Sequence, residues 1–210
     1  MMGRREGVLR TMELPADLRR ALDDLLAAAP GVGLADAAIG LSERYRQGHG
    51  RGPRTYLASR SDVTAYAASR LPATFAAVHA ALSEVASRRP GWAPETVLDV
   101  GAGPGTAGWA ASVLWPEIRS IELVEKDERM ISLGRRLAVA ASARAMRDAM
   151  WRHEDCHGAG SGGCHDLVVL SYVLGELSRE QMAGLIGRLW AWTAGVLVIV
   201  EPGTPSGFAL

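Results

Sequence analysis

From Thr96 onward the chain alternates short β-branched runs with helical stretches, and few folds admit that rhythm. The runs are "TVLDV" (96–100), "IELVE" (121–125), "DLVVLS" (166–171) and "VLVIVE" (196–201), with a weaker fifth near Met150–His153. Strands buried on both faces of a parallel sheet read as such continuous apolar runs, and helices between them imply βαβ units. Asp127 is placed to cap the helix after the second strand. Ser178 with Gln181 matches a capping box ahead of the last one. The glycine-rich stretch His157–Gly163 reads as a surface loop.

Residues 14–89 carry helical periodicity instead. In "LPADLRRALDDLLAAA" the apolar Leu18, Leu22, Leu25 and Leu26 share a face, and Pro15 is expected at the first helical position. A second helix is expected over 34–46, a loop over Gln47–Pro53, and then two helical pieces broken near Pro72. The expected architecture is α/β, a parallel sheet in residues 93–210 preceded by an N-terminal helical region in residues 1–92.

Composition removes several alternatives. The 210 residues are 48% hydrophobic, enough for a core, and the formal net charge is zero, which excludes a uniformly basic nucleic-acid binder. Lys126 is the single lysine among 23 basic residues, a bias that points to genome composition more than mechanism. Two cysteines make no disulfide framework, so a reducing compartment is expected. The opening "MMGRREGVLRTMELPADL" has no apolar core of a secretory signal. The run Leu189–Val200, at 12 residues, is too short to span a bilayer as a helix. A cytoplasmic protein with no membrane association is expected.

The first strand runs into "GAGPG" (101–105), a turn bare enough for a nucleotide-like ligand to approach the main chain. A dinucleotide turn has the spacing G-x-G-x-x-G, yet here Gly101 and Gly103 are followed by Gly105, with Thr106 where the third glycine belongs. Pro104 removes one amide that would hold a pyrophosphate. No Gly-Lys-Ser/Thr follows, so a P-loop is still less well supported. The pattern suits a ligand without phosphates whose amino-acid portion lies along the turn.

"VLDVGAGPGTA" resembles motif I of the class I S-adenosylmethionine-dependent methyltransferases, which have a Rossmann-like sheet. The resemblance implies that Asp99 lies near the methionine part of S-adenosyl-L-methionine and that Gly101, Ala102, Gly103 and Gly105 pass beneath it. It implies that Glu125, closing the second strand, accepts from the ribose hydroxyls, and that Asp155 in "WRHEDC" meets the adenine amino group. Arg70 is expected to reach the cofactor carboxylate from the N-terminal helices.

Four further segments narrow the resemblance: "LSERYR" (41–46), "AYAASRLPATFAAV" (65–78), "SYVLGEL" (171–177) and "VIVEPGTPSGF" (198–208). Together they resemble the methyltransferase-like proteins of the ribosomal small subunit, over about residues 14–208. That resemblance implies an association with small-subunit ribosomal RNA, or the subunit itself, and a role in translation. Members typically continue past the "EPGTP" strand into a cysteine-rich cluster segment and the last strands of the sheet. A sheet stopping at its fifth strand would lack its final antiparallel hairpin and leave an exposed edge, able to pair with a second copy.

The acceptor of a methyl group is expected above the end of the fourth strand. There the chain has "SYVLGEL" in place of the Asp/Asn-Pro-Pro-aromatic motif of amine-methylating enzymes, so Tyr172 and Glu176 are the candidate catalytic groups. RNA contact is expected from arginines 44, 46, 51, 54, 60 and 70, with Tyr45, Tyr56 and Tyr66 interleaved and Asp62 the lone acid. Cys156, His157, Cys164 and His165 lack metal-ligand spacing, and no metal is expected. Three functions remain open: a methyltransferase acting on small-subunit RNA, a non-catalytic cofactor-binding assembly factor, and a small-molecule methyltransferase.

Overall fold

The computed structural model of the chain describes residues 13–28, 60–156, 158 and 163–203. The helix expected over 34–46, the loop Gln47–Pro53, most of the Arg44–Arg70 stretch and most of the loop 157–163 lie outside them. Five strands form one parallel sheet in the order β3-β2-β1-β4-β5: β1 Thr96–Val100, β2 Ser120–Glu125, β3 Met150–His153, β4 His165–Ser171 and β5 Thr193–Val200. All five expected strands are present. β5 begins earlier than its apolar run, at Thr193, because that residue pairs with His165 across an irregularity in the register.

The connections place the helices on opposite faces. Val97, Ile121, Leu123, Leu167 and Val169 share a core with α1 (Ala16–Ala27), α2 (Arg60–Ser69), α3 (Leu71–Arg88), α4 (Thr106–Leu114), α5 (Glu128–Ala138) and the single turn α6 (Arg144–Arg147). The alternate residues Leu98, Val100, Val124, Val168 and Leu170 pack with Leu185 and Leu189 of α7 (Arg179–Ala191). The chain therefore changes face between β1 and β4, which opens a crevice at their carboxyl ends. Rossmann-like topology was expected, and the order and the face change establish it.

Local chemistry explains the helix ends. Asp127 caps α5 by accepting from the Arg129 amide at 2.9 Å. Along α5 Met130, Ile131, Leu133, Leu137 and Ala138 are buried, while Arg129, Arg135 and Arg136 lie outside, the spacing of one helical face. Ser178 and Gln181 form the reciprocal capping box that starts α7. Pro15 sits one position earlier than expected, at the N-cap of α1, where its carbonyl accepts from the Arg19 amide. The interruption between α2 and α3 falls at Arg70, two residues before Pro72, which has no N–H for the carbonyl one turn back.

Two carboxylates tie the pieces together. Asp17 of α1 accepts from the Ser142 amide at 2.7 Å, docking the N-terminal helix onto the loop after α5. At the amino edge of the sheet Asp166 Oδ2 accepts from the amides of Glu95 and Thr96 and from the Thr96 hydroxyl, all at 2.9–3.0 Å. Thr96 Oγ1 in turn accepts from the Asp166 amide, fastening β1 to β4.

Gly134 and Gly187 behave oppositely on substitution. A Cβ at Gly134 would press on the Trp151 ring of β3 and stand 2.9 Å from the Pro104 carbonyl, whereas one at Gly187 in α7 meets nothing within 4 Å. Gly134→Ala is expected to cost about 1–3 kcal/mol and to lower the melting temperature by roughly 2–4 °C for each of them. Gly187→Ala is expected to raise stability by up to about 1 kcal/mol. Thermal denaturation of both variants checks the pair.

Candidate functional site

β1 delivers the glycine turn into the crevice. The amides of Gly101 and Ala102 both donate to the Val124 carbonyl of the neighbouring strand, at 2.9 and 3.0 Å, which bends the chain directly after Val100. Gly101, Gly103 and Gly105 all have positive φ, at 69°, 55° and 81°. Their surroundings separate them. A Cβ at Gly101 would collide with a methyl of Val173, and one at Gly105 would crowd Met146, Leu123 and Trp151 at 3.0–3.2 Å. At Gly103 the nearest atom is the Tyr66 hydroxyl, 3.7 Å away. Two of the glycines thus serve packing inside the protein, whereas a Cβ at Gly103 would meet only the Tyr66 hydroxyl, at van der Waals distance.

Around this turn lie polar atoms without partners. Asp99 is fully buried, and neither of its carboxylate oxygens makes a hydrogen bond among the described residues. Burial first, and the nearby Glu125 charge second, push its pKa from 3.8 up to about 7, against the pull of the Ala107 and Gly108 amides at the start of α4. The Thr106 hydroxyl and the Trp109 indole nitrogen are buried and likewise unpartnered among the described residues. Buried polar atoms nearly always find partners, and these three groups stand in the segment that runs from β1 through the glycine turn into α4.

Glu125 is already committed. Its Oε2 accepts from the Gly103 amide at 2.8 Å, and its Oε1 accepts from the amides of Lys126 and Asp127, each at 2.9 Å. A carboxylate offers about four lone-pair positions. One remains, so Glu125 can take one further hydroxyl without releasing the turn, fewer than the ribose pair expected from the sequence. Burial pushes its pKa up, and the three amides oppose that shift.

The helical region closes the crevice from above. Tyr66 of α2 has its hydroxyl over Gly103, and desolvation, with Glu125 next, raises its pKa to about 12. Tyr66 is therefore a cleft residue; the stacking role expected for it in RNA contact does not fit a phenol turned inward over the glycine turn. Arg70 lies one helical turn on, near enough to the phenols of Tyr66 and Tyr172 to oppose the rise in both. Residues four apart share a helix face, the one signal in the sequence that joins Tyr66 to Arg70.

The acceptor side is built at the end of β4. Tyr172 has φ 60°, a conformation unusual for a bulky residue, and its amide donates to the Val200 carbonyl at 2.8 Å. Its side chain is half-exposed, and burial, then the Glu201 charge, hold its proton above the ordinary range. Glu176 closes a 3₁₀ turn, Leu174–Glu176, and pairs with Lys126 at 3.2 Å. That pair joins the turn after β2 to the turn after β4, across the end of β1. Asp155 is exposed just beyond β3, on the side of Lys126 and Cys156. The structure thus gathers Asp99, the glycine turn, Glu125, Tyr66, Arg70 and Tyr172 at one crevice, with Glu176 and Asp155 at its rim. Glu201 was not singled out in the sequence, although it closes a strand at the same edge as Glu125.

The raised Asp99 pKa has a consequence for stability. The folded chain holds that proton more tightly than the unfolded chain, so the contribution is fully present below about pH 4 and is lost as pH rises through about 7. Asp99→Asn is expected to remove this component of the pH dependence between those limits. Urea denaturation of both chains at successive pH values measures it.

Comparison with known proteins adds a family and a fold. The family described as mitochondrial small ribosomal subunit Rsm22 matches residues 60–210. The human protein named "Ribosome assembly protein METTL17, mitochondrial" is 31% identical over 150 residues, 69% of this chain. The aligned part is 32% of that relative, so the chain spans about a third of its length. Among solved structures, a putative O-methyltransferase from Nostoc punctiforme PCC 73102 superposes with a TM-score of 0.56 at 16% identity, over 85% of this chain and 52% of its own. The plantazolicin methyltransferase BpumL, solved with S-adenosylhomocysteine, gives 0.53 at 13% identity over 87% and 61%. At such identities these two show the fold alone, the Rossmann-like sheet of methyltransferases with helices ahead of it.

Proposed function

The chain belongs to the Rsm22 family of mitochondrial small ribosomal subunit proteins, and on that premise we propose that it binds S-adenosylmethionine at the glycine turn and acts on, or in company with, small-subunit ribosomal RNA. The observation that carries the cofactor reading is the unpartnered carboxylate of Asp99 beside the bare face of Gly103. S-adenosylmethionine carries an ammonium and a sulfonium, cations that suit a buried carboxylate on which only the Ala107 and Gly108 amides act as donors. Asp99 and Arg70 would hold the amino-acid end, Gly101, Ala102, Gly103 and Gly105 would line its path, and Glu125 would take one ribose hydroxyl. Asp155 stands at the rim where an adenine amino group would come.

When bound, the cofactor supplies a methyl group on a sulfonium, whose transfer needs a nucleophile in line and little acid chemistry. What the chain contributes is then position and exclusion of water. Tyr172 keeps its proton at neutral pH, so it orients an acceptor through its ring or hydroxyl and does not deprotonate it. Glu176, engaged by Lys126, is less available than its place in the sequence suggests. These features also support the second reading, a cofactor-binding assembly factor without catalysis, as does the name of the human relative. We retain a cytoplasmic location, and pairing of copies through β5, as parts of the proposal.

Calorimetry with S-adenosylmethionine tests the reading. Micromolar binding is expected for the chain and a loss of at least about tenfold, roughly 1.4 kcal/mol, for Gly103→Arg, which sets a long side chain under Tyr66. Transfer of a labelled methyl group to small-subunit RNA would then establish the enzyme, and binding without transfer would establish the assembly factor. A folded chain that binds no cofactor overturns both.

A further inference from the structure

β5 ends at Val200, and the next residue, Glu201, reaches back across the edge of the sheet. Its Oε1 accepts from the Val173 amide at 3.0 Å and from the Leu174 amide at 2.8 Å. These are consecutive amides following Tyr172, the one non-glycine residue with positive φ among the described residues. A left-handed residue followed by a right-handed one turns successive N–H groups to the same side and makes a small concavity for an anion. Tyr172, at φ 60°, and Val173, at φ −109° and ψ −38°, form that pair, and the Glu201 carboxylate fills it.

The same bonds reach the glycine turn. Val173, held by its amide, sets a methyl group where a Cβ on Gly101 would have to stand. Gly101 must be glycine for its positive φ and because Val173 occupies the space a side chain would need, and the Glu201 carboxylate holds the Val173 amide. The Tyr172 amide, bonded to the Val200 carbonyl, closes the arrangement from the other side. We propose that Glu201 is the positioning residue of the crevice: its carboxylate holds the backbone of Tyr172–Leu174, and through Val173 it fixes the glycine turn while presenting Tyr172 at the acceptor side. This goes beyond the cofactor reading and rests on it only for the binding measurement.

The test uses the full chain at pH 8, on the alkaline side because burial raises the Glu201 pKa, with Glu201→Ala, Glu201→Gln and Val173→Ala. Amide exchange by NMR at Val173 and Leu174 is expected to quicken about tenfold or more in Glu201→Ala, with a displaced Gly101 resonance. Glu201→Gln, whose carbonyl oxygen still accepts both amides, is expected to restore protection and resonance. Val173→Ala is expected to displace the Gly101 resonance while both amides stay protected, and it decides the matter if Glu201→Ala does not fold. Binding of S-adenosylmethionine is expected to weaken about fivefold or more in Glu201→Ala and to stay within about twofold in Glu201→Gln. Unchanged exchange in Glu201→Ala, no rescue by Glu201→Gln, or an unmoved Gly101 in Val173→Ala would each overturn the proposal. If the exchange results hold in a chain that binds no cofactor, the positioning role stands and the cofactor reading falls.

Discussion

The carboxylate of Glu125, shared among three backbone amides, is the interaction on which the crevice depends. It joins the end of β2 to the middle of the glycine turn through the Gly103 amide, and it orders the turn into α5 through Lys126 and Asp127. Because it is buried, its charge also acts on its neighbours: it raises the affinity of Asp99 and of Tyr66 for their protons. One side chain therefore sets both the path of the main chain and the electrostatics of the site. Two acids this close, with no cation among the groups that act directly on Asp99, form a field suited to a positively charged ligand.

The central strands were legible because burial on both faces leaves an unbroken apolar run, whereas the edge strand β3, Met-Trp-Arg-His, has no such run and reads more weakly. The caps at Asp127 and Ser178 were legible for a related reason, that their chemistry is contained within four residues. Glycine spacing gave the correct turn but not the division of labour within it. That division depends on Val173, Met146 and Trp151, which arrive from other elements. Tyr66 sits in a helix whose alanine-rich surroundings show no strong face, so nothing local reveals that its hydroxyl overhangs Gly103. Glu201 was hidden by distance: its partners lie 28 and 27 residues earlier in the chain.

Membership of a family and possession of a fold answer different questions. The fold explains why a crevice exists where the chain changes face between β1 and β4. The family is the one described as mitochondrial small ribosomal subunit Rsm22. Neither names an acceptor, and the end of β4 offers a strained tyrosine and a paired glutamate where amine-methylating enzymes of this fold have a proline-rich motif. The asymmetry is physical: the side that would hold the cofactor has unsatisfied polar atoms, while much of the acceptor side is satisfied from within.

The fastening of β1 to β4 by Asp166, at the far edge of the sheet, bears on this asymmetry. Side chains alternate along a strand, so sliding β1 by a single residue would exchange its two faces. Asp99 would then face the greasy layer beneath α7, and Val100 would look into the crevice. Four bonds between Asp166 and the start of β1 forbid the slip. A threonine and an aspartate some 10 Å away, by the rise of about 3.3 Å per residue, therefore decide on which side of the sheet the protein keeps the buried carboxyl of Asp99.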